Sequence, residues 1–395
     1  MEFFADDASA GGAFLLNEAS RVSAVETVDR WETELCAGSR IVVVRGTGPN
    51  SFEHVRAESI DAANKGLDVF SARGVVDAWI READDQHIAW WTENDEQVIR
   101  LVSVPTIRVD VGDVTVTGGI QIVPQPYVWH ESLRYFRLSQ ITDDLVDAYR
   151  NLYLALECLL STVTPQMLRA DGRPAEREGD WFKRALIEVG GVVNLASFVP
   201  AGAGEPVQQL WDELYRDVRS AIFHAKSSRP TILPHGGDRR REVADSLRRA
   251  TSLYLALAEH VLHVRRPSGG IFAGFWTMQT DSLVDRLTIV ATDDPLPVSD
   301  SDDTVNPGGG LVVTMDTNAA PEYDRPFERA FIGRIGGEQL RGLEQITRIC
   351  SVVDATPLSA HIPEGVLKID SVDRFEALVI LRAENVQQPK RRYAS

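Results

Sequence analysis

The chain has 395 residues, 44% of them hydrophobic and 25% charged, with a formal net charge of -17 at pH 7. That length supports two or three domains with a core each, and that composition belongs to a soluble globular protein. So acidic a molecule repels nucleic acid and anionic membrane as a whole, which leaves room only for a local basic patch as an RNA site.

Cys36, Cys158 and Cys350 lie far apart with no C-x-x-C pair, which argues against a disulfide framework and against a thiolate zinc site. No metal and no cofactor are expected, and a reducing cytoplasm fits. The N-terminal MEFFADDASAGG carries acids where a secretory leader carries bases, and no apolar run approaches about 18 residues. The expectation is a protein neither exported by that route nor membrane-spanning.

Residues 1–135 read as an α+β domain. Residues 40–45, RIVVVR, form a predicted buried strand, and residues 51–65 have helical composition that ends near Gly66. Residues 86–92, QHIAWWT, and 97–104 are rich in aromatic and branched side chains and read as paired strands across Glu93 to Glu96. Trp90 and Trp91 then fall on opposite faces, one for the core and one for a covering layer. Residues 106–116 alternate with period two, as a strand with one wet face does.

From Ile141 the period becomes helical. Thr142 is placed to cap a helix whose first turn holds Asp143 and Asp144, with Leu145, Tyr149, Leu152, Leu156, Leu159 and Val163 on one stripe before Pro165. A polar insertion over 169–178 precedes a short helix over 181–189. Residues 211–226, WDELYRDVRSAIFHAK, carry the stripe Trp211, Leu214, Tyr215, Val218, Ile222 and Ala225. Asp238 opens a last long helix through Val243, Leu247, Ala250, Tyr254, Leu257 and Val261. Four helices, each apolar on one side, predict a central α-helical bundle over 140–266.

Residues 267–388 read as a second α+β region. Strands are predicted at 287–291, 311–315, 330–335, 366–369 and 375–381, with a helix over 338–352 and a flexible acidic linker over 292–310. The fold class expected is therefore α+β multidomain, with a central four-helix bundle flanked by N- and C-terminal α+β regions.

Chemistry concentrates off the stripe of residues 211–226. Arg219 and His224 sit five residues apart and diverge by about 140° at roughly 100° per residue. R-x4-H alone carries little information, but this pair lies where the apolar stripe of the third helix ends. Residues 149–160 (YRNLYLALECLL), 181–186 (WFKRAL) and 214–226 (LYRDVRSAIFHAK) together resemble a HEPN domain of the Apea-like type, over roughly 140–266. The wider chain, with ANKGLDVFSARG at 63–74, is similar to methylamine-utilisation MauJ-like proteins.

The HEPN resemblance implies a metal-independent endoribonuclease, assembled as a homodimer, with Arg219 and His224 in one cleft. Imidazole chemistry suits proton transfer near neutral pH, and a guanidinium suits the charge that grows on a phosphate. Ser220 follows the arginine where nucleolytic members often carry Asn, Asp or His, so its role there is supporting. From Glu205 to Arg266 eleven Lys and Arg face eight Asp and Glu, a local excess of three. Arg216, Lys226, Arg239, Arg240 and Arg241 are the candidate RNA-binding cations.

A bland reading stands beside this one, in which Arg219 pairs with Glu213 or in the neighbourhood of Asp217, or caps carbonyls at the helix end, and His224 sits near a helix C-terminus. Two functions follow: a HEPN-type ribonuclease or RNA-binding dimer in stress response or phage defence, or a non-catalytic accessory protein whose bundle is a dimerisation module. GTGPNS lacks the lysine of a phosphate-binding loop, and neither H-E-x-x-H nor G-x-S-x-G occurs.

Overall fold

The computed structural model describes residues 9–81, 86–107, 128–142, 144–200, 202, 204–223, 231–234, 239–264, 273–283, 285–294, 311–324, 327–354, 356–361, 367–369 and 371–383. The chain divides into two compact units, one from residues 1–110 together with 271–386, the other from residues 111–270 with 387–395. The first unit begins with strands β1 (Ala10–Leu15), β2 (Ala24–Val28), β3 (Trp31–Leu35) and β4 (Ile41–Gly46), then helix α1 (Phe52–Ala72). Strands β5 (Gln86–Glu93), β6 (Glu96–Ser103) and the short β7 (Thr106–Ile107) follow.

The second unit is helical: α2 (Ser132–Ile141), α3 (Leu145–Val163), α4 (Glu178–Val189), α5 (Pro206–Leu210), a π-helical segment Trp211–Arg219, α6 (Ser220–Phe223) and α7 (Arg240–Leu262). The chain then returns to the first unit with α8 (Ala273–Asp281), β8 (Leu287–Thr292), β9 (Val312–Ala319) and β10 (Glu328–Gly336). It ends with β11 (Gln345–Ile346), β12 (Arg348–Val353), β13 (Thr356–His361), β14 (Leu367–Lys368) and β15 (Arg374–Ala383).

One mixed sheet dominates, in the order β13-β12-β8-β9-β10-β15-β6-β5-β1-β4-β3-β2, with β7 beside β15. The central bundle between two separate α+β regions is therefore not the architecture. The N- and C-terminal segments join through a parallel pairing of β15 with β6, in which Glu376 faces Arg100 and Leu378 faces Val102. Both strands are buried over most of their length, so neither can serve as a sheet edge without exposing unpaired backbone groups. Local periodicity shows that each is a strand but carries no information about its neighbour.

Alternation along these strands feeds two cores. Ile99 and Leu101 of β6, with Phe375, Ala377, Val379 and Leu381 of β15, pack on one face. Val98, Val102 and Leu378 point to the other, which α1 covers with Phe52, Val55, Ala62, Leu67 and Phe70. Trp90 and Trp91 divide between the faces as expected, and both are buried. The β5–β6 hairpin turns at Asn94 and Asp95, both at positive φ, the backbone that a two-residue turn matched to strand twist requires.

Several boundaries differ from expectation for local reasons. Gly66 does not end α1, which runs on to Ala72; it lets the helix approach β3, since a Cβ there would lie 2.6 Å from the Thr33 side chain. Residues 338–352 are not helical. A 3₁₀ turn (Leu340–Gly342) leads into β11 and β12, and every residue of β12 is buried because it lies between β8 and β13. A strand covered on both faces shows no period-two alternation, so its apolar spacing mimics a helix. Asp144, not Thr142, caps α3, its carboxylate accepting from the Asp147 N–H at 2.8 Å. Asp143, Asp238, all of 108–116 and residues 295–310 of the expected linker lie outside the described residues.

In the helical unit the stripes of α3 and α7 meet in a core that includes Leu152, Leu156, Leu159, Leu247, Tyr254 and Leu257. Several polar tips of this unit find backbone acceptors. Tyr149 Oη donates to the Leu214 carbonyl at 3.1 Å, Trp181 Nε1 to Thr164 at 2.7 Å and Trp211 Nε1 to Gly179 at 2.8 Å. Among the described residues, no helix is long and apolar enough to cross a membrane.

Candidate functional site

Arg219 closes the π-helical segment, where each turn is one residue wider than in an α-helix. Such segments are rare and concentrate at functional sites. The wider turn continues into the side chains: Ser220 Oγ donates to the Tyr215 carbonyl, five residues back, at 3.2 Å. The Ser220 hydroxyl proton is thereby directed to backbone.

The guanidinium of Arg219 is enclosed. Its carbon lies 5.1 Å from the Tyr215 ring centre, 5.2 Å from Phe223 and 5.6 Å from Tyr153, three cation–π contacts on one group. Nη2 donates to Glu178 Oε1 at 2.5 Å, and the side chain is 15% exposed. Its buried Nε finds no acceptor among the described residues. Glu178 sits in the first turn of α4, where the helix dipole favours a carboxylate.

A second carboxylate completes the set. Glu157 on α3 is pushed up to about 7 by burial first, then by the negative charge of Glu178 and a hydrogen bond to it, against the opposing pull of Arg219. Two carboxyl groups beside one guanidinium cannot both ionise at little cost, so one proton is held between them near neutral pH. Burial likewise raises the Tyr153 hydroxyl, which has no hydrogen-bond partner among the described residues. Arg219, Glu157 and Glu178 form a half-buried cluster walled by aromatic rings, in which the Glu157 carboxyl is raised.

Glu157 and Glu178 were missed in the sequence, because Glu178 belongs to a stretch read as a polar insertion and Glu157 lies beside the α3 stripe. The available signal was Tyr153 and Glu157 at i and i+4, one helix face carrying an aromatic and an acid together.

The other expected site residues distribute differently. His224 and Lys226 lie outside the described residues. Arg216 is exposed and pairs with Asp212 at 2.5 Å and Asp217 at 2.9 Å. Arg239 pairs with Glu242 at 2.5 Å, and Arg240 and Arg241 open α7, half-buried and exposed respectively. Two further cations of the unit follow suit, Arg248 with Asp245 at 2.6 Å and Arg249 with Glu213 at 2.8 Å. Arg216, Arg239, Arg248 and Arg249 thus pair with acids already counted in the stretch, whereas Arg219 draws on Glu178 outside it.

One set among the described residues has donors of metal-ligating type. Ligand atoms of His130, Glu131 and Cys158 lie within 4.8 Å of one another. Both ring nitrogens of His130 are engaged, Nδ1 with Ser132 Oγ and Nε2 with Thr162 Oγ1, each at 2.9 Å. Burial and then Glu131 push the Cys158 thiol up, so the sulfur holds its proton. A cation here would have to displace both the Thr162 contact and that proton.

Comparison with family models, with curated proteins and with solved structures gives no match for this chain.

Proposed function

We propose that this chain is a non-catalytic accessory or interaction protein, cytoplasmic and dimeric through its helical unit, rather than a HEPN-type endoribonuclease. The observation that carries the reading is the engagement of Arg219 by Glu178 inside an aromatic enclosure. A phosphodiester would have to displace an existing carboxylate from a guanidinium that is 15% exposed. Removing one partner of such a pair leaves a poorly solvated charge behind. The compensated arginines around it support the same reading, since RNA binding needs several cations free to meet phosphates.

Dimerisation is supported by apolar side chains that stay exposed between residues 165 and 193. Met167, Leu168, Ile187 and Val192 are each at least half exposed. Arg184 ties the 165–176 loop to α4 through the Pro165 carbonyl and Glu176, which brings this loop to the helix that carries Ile187. An apolar surface of this kind marks an interaction face in a protein otherwise rich in charge. Sedimentation velocity is expected to show a dimer, with Ile187→Asp shifting it to monomer at micromolar concentration.

One observation favours the ribonuclease reading, which follows the HEPN resemblance: a carboxyl that titrates near 7 stands beside a fixed cation, a pairing suited to general acid–base chemistry. Metal-free incubation of the full chain with mixed RNAs separates the two. The accessory reading expects no cleavage above buffer. Cleavage by the native chain that His224→Ala abolishes, with a melting temperature within a few degrees of the native chain, establishes the nuclease instead.

A further inference from the structure

A cavity of about 440 Å³ opens in the sheet unit between the start of α1 and the strands β5, β6, β10 and β15. Its volume falls within the roughly 300–1,000 Å³ of small-molecule sites. Three arginines, Arg100, Arg334 and Arg374, and three glutamates, Glu53, Glu93 and Glu376, line it, so its formal charges sum to zero.

Most of those charges are matched. Arg100 and Glu376 are register partners on β6 and β15, 2.6 Å apart and both buried, with the guanidinium 4.2 Å above the Phe52 ring. Arg374 pairs with Glu93, and with Glu96 at 2.8 Å. Two groups are left over. Arg334 reaches Glu376 through Nε at 2.9 Å, but its two Nη nitrogens have no acceptor among the described residues and its side chain is 48% exposed. Glu53 is exposed and carries no ion pair among the described residues, its one contact being the Tyr323 hydroxyl. Trp91 also lines the cavity, with its indole Nε1 fully covered by protein.

We propose that this cavity binds a small zwitterion of the free α-amino-acid class. Its carboxylate meets the Arg334 guanidinium, and its ammonium group meets the Glu53 carboxylate. An anion alone leaves Glu53 facing it, and a cation alone leaves Arg334 unmatched. A ligand with one charge of each sign satisfies both groups in a cavity that is neutral overall.

The test is calorimetry of the full-length protein against each of the twenty free amino acids. The strongest binder is then compared with its N-acetyl and C-amide derivatives and with inorganic phosphate. The expected result is saturable one-to-one binding of at least one amino acid, weakened at least tenfold by acetylation and by amidation. Arg334→Ala and Glu53→Gln are each expected to weaken it at least tenfold. Both side chains are exposed enough for the variants to fold, which circular dichroism checks. No binding by any amino acid overturns the proposal. So does phosphate or an N-acetyl derivative binding as tightly as the parent, which identifies a plain anion site, and so does full affinity in Glu53→Gln.

Discussion

Glu157 is the residue whose environment departs furthest from that of an ordinary carboxylate, and the consequence is a pH-dependent stability. Its value in the folded chain, about 7, stands above the ordinary 4.5, so the native state holds a proton that the unfolded state releases. Stability from this group is fully present below about pH 4.5 and is lost as pH rises through 7. Urea denaturation is expected to show a lower midpoint at pH 8 than at pH 5. Glu157→Gln keeps the shape of the neutral acid and removes the titration, so its midpoint rises above wild type at pH 8 and matches it at pH 5. An unchanged pH dependence in the variant means that Glu157 does not hold the shared proton. None of this was legible beforehand, because the shift arises from Glu178 on a different helix. The arginine of the cluster was legible from its place at the end of an apolar stripe, while its carboxylate partner, 41 positions away, was not.

Among the elements, α1 illustrates how a correct helix prediction can misplace its end. Ala62, Ala63 and Gly66 form a small-residue face that brings the helix backbone close to β3, where Thr33 is fully buried. Gly66→Ala improves helix propensity by about 1 kcal/mol. The added methyl collides with Thr33, however, and overpacking a close contact costs about 1–3 kcal/mol. A Cβ cannot rotate away, so the steric term wins and the variant is expected to melt several degrees lower; a higher melting temperature contradicts the close approach. The glycine was visible as punctuation, but whether it stops a helix or seats it against a strand depends on what lies opposite. Likewise β12 was read as helix because burial on both faces erases the alternation by which a strand announces itself.

At the scale of the whole molecule, the parallel pairing of β6 with β15 holds together segments that the helical unit separates in the chain. Arg100 and Glu376 face each other across it, separated by 276 positions in the chain. Burial opposes ionisation of Glu376, but the guanidinium groups of Arg100 and Arg334 outweigh it and hold the carboxyl below its ordinary range. Glu376→Gln leaves the Arg100 charge buried without its counter-ion, expected to destabilise the sheet unit by about 3–5 kcal/mol. Chemical denaturation reads that loss directly; a loss under 1 kcal/mol means that the pair does not secure the junction.

The residue order by itself determined the helical stripes of α3, α4 and α7, and the short branched and aromatic runs that form the β5–β6 hairpin and strands β8, β10 and β15. It also determined that the chain is acidic and that any basic patch must be local. Those are short-range properties, fixed by how successive side chains divide between solvent and core. Tertiary structure alone decided that the terminal segments build one sheet, that Arg219 meets Glu178 and Glu157, and that the surrounding arginines are matched by acids. Each of these depends on which distant backbone or charge comes to lie opposite. That pairing follows from burying both faces of the central strands and leaving few charges uncompensated, conditions met by the folded chain as a whole.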